Sequence, residues 1–383
     1  MFEMGPGKVA AKTFYDVEFP KGHVGIKSFD AELVDEEGNF VPLYEAYLHH
    51  WFAIKYQEKD WNMSKIIPKD PMEGAIYIRN DGTCNTYILP IYWGLGAESR
   101  GKKSKIPDPY AVEHGNPSKI PFRYQEKWLL NLLIIDTRGT EDREGCTECR
   151  CDHFNLPTNF YNVTAGIDGK PLGSSYKGGL FCCQDNLHCK LQKDFEAPTR
   201  KLALRYKITW VDWNQQQIPL RFYVLDSTDR VRTNGSQFIH DCQVEFTVPP
   251  TNGRNNAPQI EKQTSQWKEV VISSTAPLIC IEVPLMQLYM DSNTVYSFYI
   301  MDGRILYTSK PKYGKGKKPG NEKGYVVGMS GSYPELSSTK IKDGKIVTIE
   351  TRYESGFRTG AMGHMYIYLA DRLPDNTKRP TMA

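Results

Sequence analysis

The residues whose types and spacing could do chemistry centre on one short stretch, Tyr47-Leu48-His49-His50-Trp51. His49 and His50 form the only adjacent pair among 8 histidines, and they close an alternating apolar segment. Imidazole suits copper and zinc, so the pair is a starting point for a metal site. Histidine is equally the natural proton shuttle near neutral pH, which makes His49 and His50 candidate acid–base groups. Along a strand successive side chains point to opposite faces, so both rings serve one site only where the strand twists or bulges.

The second reactive set is the cysteines. There are 9, and six of them, Cys146, Cys149, Cys151, Cys182, Cys183 and Cys189, crowd into two short clusters. The rest are Cys84, Cys242 and Cys280. Acceptor sequons for N-glycosylation begin at Asn62, Asn162 and Asn234. Clustered cysteines with sequons predict a disulfide-stapled region and an oxidising, secretory setting, extracellular or vacuolar. The alternative chemistry for the same thiols is a zinc site. The first residues lack the basic and apolar regions of a signal peptide, so the secretory expectation rests on the cysteines and sequons.

The elements that must position these groups read as strands. Period-two alternation runs through Gly22 to Val34 and breaks at Asp35-Glu36-Glu37-Gly38-Asn39, then resumes from Phe40 to deliver His49-His50. Further strands are expected at Leu204–Trp210, Leu220–Leu225, Cys242–Val248, Glu269–Ile272, Lys345–Glu350 and Met365–Leu369. No long amphipathic helix is visible. With 383 residues the chain is long enough for two cores. The strand pattern stops at Asp226-Ser227-Thr228-Asp229, which places two β-sandwich domains over residues 1–230 and 231–383.

Composition excludes some classes. The formal charge of +3 is too even for a nucleic-acid binder, and the basic runs at Arg100–Lys105 and Lys315–Lys318 are laced with Gly or Ser and read as solvated loops. No run of 18 apolar residues exists to span a membrane. No nucleophile triad, phosphate loop or dinucleotide fingerprint is present.

Several segments together resemble the stress up-regulated nodulin (SURNod) family of plants. They include Gly22-His23-Val24-Gly25-Ile26-Lys27-Ser28-Phe29, the His49-His50 stretch, Gly94-Leu95-Gly96-Ala97-Glu98-Ser99-Arg100 and Asp136-Thr137-Arg138-Gly139. The cysteine segments, Gly324-Tyr325-Val326-Val327-Gly328-Met329-Ser330 and Thr359-Gly360-Ala361-Met362-Gly363 add to them. The likeness spans nearly the whole chain. The family in turn resembles ascorbate-dependent copper monooxygenases, which implies two jelly-roll-like β-sandwich domains facing an interdomain cleft. In that resemblance His49 and His50 match one copper's histidine pair, Leu133 stands where its third histidine belongs, and Met362 matches the second copper's methionine. The His-x-His pair is replaced by Pro284 and Met286 or by Leu288 and Met290, and a family cysteine pair by Tyr307 and Ser332.

The expectation is therefore an all-β protein that has lost redox copper and needs no metal or other cofactor. Its cleft would bind a small plant metabolite of specialised metabolism, lined by Leu133, Leu288, Met290, Met362 and Met365. His49, His50, His364 and Tyr289 are the candidates for metal-independent acid–base chemistry of isomerase, cyclase or lyase type. The rivals are a non-catalytic secreted stress or binding protein and a copper monooxygenase. Asp136 and Arg138 are expected to form a buried ion pair that fixes a turn.

Overall fold

The computed structural model describes residues 1–60, 74–84, 90–97, 106–156, 158, 160, 165, 171–234, 237–248, 259–266, 276–282, 296–301, 304–331, 340–341, 346–353 and 357–370. These residues are nearly all β. Two sheets form the body of the molecule. One is five-stranded and is built on Ala46–Lys59 and Tyr124–Asp136, which pair antiparallel along their whole length, with Val9–Phe14, Ile76–Tyr77 and Ile91–Leu95 beside them. The other is eight-stranded and begins with Phe2–Met4, Arg200–Asp212, Val24–Val34, Tyr110–His114 and Ile218–Asp226.

That larger sheet crosses residue 230. Ile218–Asp226 pairs antiparallel with His364–Ala370, which pairs in turn with Ala276–Glu282, so hydrogen bonding joins the two halves of the chain. The Cys84–Cys242 disulfide ties them covalently. The alternation read in Val24–Val34 survives as a largely buried strand.

Aromatic rings fill the space between the sheets. Trp51, Trp93 and Trp128 of the smaller sheet meet Phe29, Phe222, Tyr366 and Tyr368 of the larger, with Phe29 stacked 5.0 Å from Trp51 and Tyr92 5.8 Å from Phe222. Each such ring buries roughly 150–250 Å², so this layer dominates the apolar stabilisation.

The outer face of the five-stranded sheet is covered too. Val9, Tyr47, Leu133 and Ile135 on that face pack with Cys146, Cys149, Cys183 and Cys189, and with Tyr325 and Val327 from late in the chain. Three disulfides, Cys146–Cys189, Cys149–Cys183 and Cys151–Cys182, hold the covering segment, which has one short helix at Arg143–Thr147. The expected stapling of the cysteine clusters is thus present, and these thiols are disulfide-bonded rather than free to form a zinc site. Cys280 lies on the strand Ala276–Glu282. The turn after the strand Tyr124–Asp136 contains the expected ion pair. Arg138 Nη2 donates to Asp136 Oδ2 at 2.7 Å, and Asp136 is fully buried.

Candidate functional site

His49 and His50 sit at a break in an otherwise regular ladder. Leu48 pairs with Ile134 and His50 with Leu133, so the strand takes in His49 as one extra residue at a register shift. The bulge has a direct consequence. Leu48 and Trp51 both point into the aromatic core, while Tyr47 points to the outer face. With one residue inserted between them, both imidazoles lie on the outer face, their rings 5.6 Å apart at 77°. The local condition for a shared site is met.

The surroundings of the pair are closed. His49 is 6% exposed, and its Nε2 lies 3.2 Å from Cys149 Sγ of the Cys149–Cys183 disulfide. His50 is partly buried, stacks on Phe52 at 4.3 Å and is hydrogen-bonded by the Asn131 side chain. Burial, reinforced by the neighbouring His50, pulls the His49 pKa down to about 3. Burial also pulls His50 down to about 4, although the Asn131 hydrogen bond works the other way. Both rings are neutral at pH 7. A base whose conjugate acid ionises that low is poorly matched to proton transfer near neutrality.

The donor set does not fit copper. Leu133, directly opposite His50 and buried, brings no ligand atom. Among the described residues, three potential ligand atoms lie within 4.8 Å of one another in two places, His49–Cys149–Cys183 and Cys84–Asp226–Cys242. In both, the two sulfurs are bonded to each other and are not available as thiolates. Two imidazoles without a third ligand make an open, weak copper site.

The other sequence candidates are scattered. Leu133 belongs to the outer cluster with the cysteines, whereas Met362 packs into the aromatic core and Met365 is fully buried on its strand. His364 is 2% exposed and faces Asp226 across the strand pair, Nε2 to Oδ2 3.8 Å. Pro284, Met286, Leu288, Tyr289, Met290 and Ser332 lie outside the described residues. Tyr307 donates its hydroxyl to Ser330 Oγ at 3.0 Å.

A cleft opens elsewhere. It has a volume of about 340 Å³ and lies between the cysteine-rich segment and the strands Phe246–Val248 and Arg358–Ala361. Such a volume is at the small end of ligand pockets, which run from roughly 300 to 1,000 Å³. Tyr176 and Phe181 line it from one side, Phe246 and Phe357 from the other, and Glu245 stands among them. Tyr176 donates its hydroxyl to Glu245 Oε1 at 2.9 Å, and the Leu180 backbone N–H donates to Oε2 at 2.9 Å. Burial raises the Glu245 pKa above the ordinary carboxylate value, against the opposing pull of those two donors.

Local chemistry fixes both walls. Thr359 Oγ1 accepts the N–H groups of Lys177 and Gly178 and donates to the Gly178 carbonyl, clipping the cysteine-rich segment to the strand. Beside this clip Gly179 and Gly360 meet backbone to backbone. A Cβ on Gly360, whose φ is +75°, would strike Gly179 Cα. On the other wall Val244 has φ +68°, a conformation that β-branched residues almost never adopt. Its N–H is held by Asp226 Oδ2 and Thr228 Oγ1, both at 3.1 Å.

The turn Asp226–Asp229, expected as a break between domains, is buried and anchors that wall. Asp226 Oδ1 takes the Thr228 N–H and hydroxyl, and Asp229 Oδ2 takes the Thr83 hydroxyl at 2.9 Å and meets His240 Nδ1 at 2.7 Å. Sequence reasoning missed Glu245, Tyr176 and the pair Asp229–His240. The available signal was the polar run Asp226-Ser227-Thr228-Asp229 placed directly after an apolar strand, where turn-forming side chains bond to local backbone.

The family described as "Stress up-regulated Nod 19" matches residues 1–372. The chain belongs to that family. No curated protein matches it. Among solved structures, the infectious bursal disease virus VP2 subviral particle aligns at 8% identity, covering 94% of this chain and 71% of that one, with a TM-score of 0.20. The Gt strain of the same virus aligns at 9% identity over 96% and 69%, with a TM-score of 0.16. Four disulfides in this family member are compatible with an oxidising compartment. Among the described residues no helix is long and apolar enough to cross a membrane.

Proposed function

We propose that the protein is a secreted plant binding protein for a small metabolite, and that its ligand enters the cleft around Glu245. One observation carries this reading. A carboxyl group with raised proton affinity, already oriented by Tyr176 and Leu180, lines a cleft of about 340 Å³ walled by aromatic rings. Concave sites that combine aromatic lining with a few convergent polar groups are the usual form of small-molecule sites. In this reading the two halves that meet near residue 230 each supply a wall. The polar anchor of the ligand, expected of His49 and His50, is in this reading Glu245, the carboxylate in the described lining of the cleft.

Packing supports binding in this cleft over binding at the histidine pair. Tyr325 and the Cys149–Cys183 disulfide close the outer face beside His49 and Leu133. The test is a ligand-observed NMR fragment screen on the intact protein, repeated on Thr247→Trp. Thr247 lines the cleft and is exposed, so the larger ring fills space without entering the core. Fragments that bind the parent and are lost from the variant support the reading. Hits that bind both proteins equally, or a screen without hits, would sink it.

A further inference from the structure

Among the described residues, the charge lining the cleft is one-sided. Glu245 is the one ionisable side chain with a formal charge at neutral pH that lines it, among the described residues, and no Lys, Arg or His shares the lining. Glu245 is held by a hydroxyl and a backbone N–H, both neutral donors. A desolvated carboxylate normally has a cation beside it, because removing the charge from water is expensive.

The rest of the described lining suits a positively charged guest. Tyr176 and Phe181 pack edge to face, 6.2 Å apart at 62°, on the wall that carries the Glu245 hydrogen bonds. Phe246 and Phe357 face them from the strand side of the same cleft. Aromatic faces attract a positive charge through their quadrupole, and enclosures of several rings with a nearby carboxylate are the recognised way to hold organic ammonium groups. A neutral sugar or phenol would use the rings but bring no counter-charge to the carboxylate.

Resting on the proposed function of this cleft, we propose that its ligand is an organic cation, a small amine or ammonium compound, with the positive nitrogen against Glu245 and its carbon skeleton among Tyr176, Phe181, Phe246 and Phe357. The two walls then act together. The carboxylate supplies the counter-charge, and the rings replace the water that the ammonium group gives up on entering. Glu245 keeps its bonds from Tyr176 and Leu180 throughout, so the acceptor is oriented before the ligand arrives and little ordering is needed on binding.

The experiment compares two probes of equal size, phenethylamine and 2-phenylethanol, by titration calorimetry at pH 7.5 and low salt. The amine is expected to bind roughly tenfold or more tightly than the alcohol. Glu245→Gln keeps a hydrogen-bond acceptor while removing the charge, and is expected to abolish the preference while leaving alcohol binding in place. Should that variant fold poorly by circular dichroism, Phe357→Ser supplies the second arm. Phe357 is 45% exposed at the rim, and losing its ring should weaken the amine more than the alcohol. Equal or tighter binding of 2-phenylethanol overturns the cation inference and leaves the binding cleft standing. Fragment hits from the NMR screen that are predominantly neutral have the same effect. If neither probe binds and the screen has no cleft hits, the binding reading itself falls, and the cation inference falls with it.

Discussion

Acidification between pH 7.5 and 5 should cost this protein an unusual amount of stability, and the cost should come from His49 and His50. Unfolded histidines ionise near pH 6.5, whereas burial holds the folded pair at about 3 and about 4. In the window between those values the unfolded chain binds protons that the folded chain refuses, so stability falls as pH falls. It is fully present above about 6.5 and stops declining only near the folded values. At pH 5 each unfolded imidazole gains about 2 kcal/mol from protonation, from 1.36 kcal/mol per unit over roughly 1.5 units. His49, at 6% exposure, carries its full share, while His50 keeps some contact with solvent and is discounted. The pair together should account for about 3 kcal/mol. The assay is urea unfolding with disulfides intact at both pH values, for the parent and for His49→Gln/His50→Gln. The parent should lose about 3 kcal/mol more than the variant over the interval. Parallel losses, or imidazole NMR signals of the folded protein titrating near pH 6.5, would refute the reasoning.

Other outcomes follow from the same structure. Glu126 shows the opposite kind of linkage. Burial alone would raise its pKa, but the His114 hydrogen bond, the Lys55 charge and the Gly115 N–H outweigh it and hold the carboxyl at about 2. Its contribution is therefore present above about pH 4.5 and lost as pH falls toward 2, and Glu126→Gln should cost up to about 3 kcal/mol at pH 7 and far less at pH 2.5 in denaturant titrations. Asp226→Ala strips the acceptor from Val244 and Thr228, so chemical denaturation should show a loss of roughly 3 kcal/mol, with weakened binding of any cleft ligand. Removing the Cys84–Cys242 bridge frees a span of 158 residues, and calorimetry should report a lower melting temperature with a loss of at most about 5 kcal/mol. Gly360→Ala forces the cysteine-rich segment away from the strand, and it should lower the melting temperature and change the cleft's fragment hits together, while a distant exposed change such as Phe122→Ser alters neither.

The strands and the staples were legible in the sequence because each is written locally. Alternation in Val24–Val34 determines which side chains can be buried on one face, whatever the strand pairs with. The crowding of cysteines between Cys146 and Cys189 pointed to cross-links, with zinc as the alternative, and Asp136-Thr137-Arg138-Gly139 carried its own ion pair within three residues. The family was written in contiguous segments across the chain. The histidine pair was visible as a pair, but its fate was not. Whether His49 and His50 share a face depended on one extra residue inserted between Leu48 and His50, a matter of register with a strand about 80 residues away.

The cleft was hidden for a similar reason. Strict alternation through Cys242–Val248 would send Glu245 and Phe246 to opposite faces, yet both line the cleft, together with Gln243 and Thr247. The strand proper spans only Phe246–Val248, because Val244 is turned into a left-handed conformation by Asp226, 18 residues earlier. The sequence by itself determined the β class and the family and pointed to the cysteine staples. Tertiary structure alone decided which polar groups meet, because a bulge and a buried carboxylate re-aim side chains over distances that no periodicity encodes.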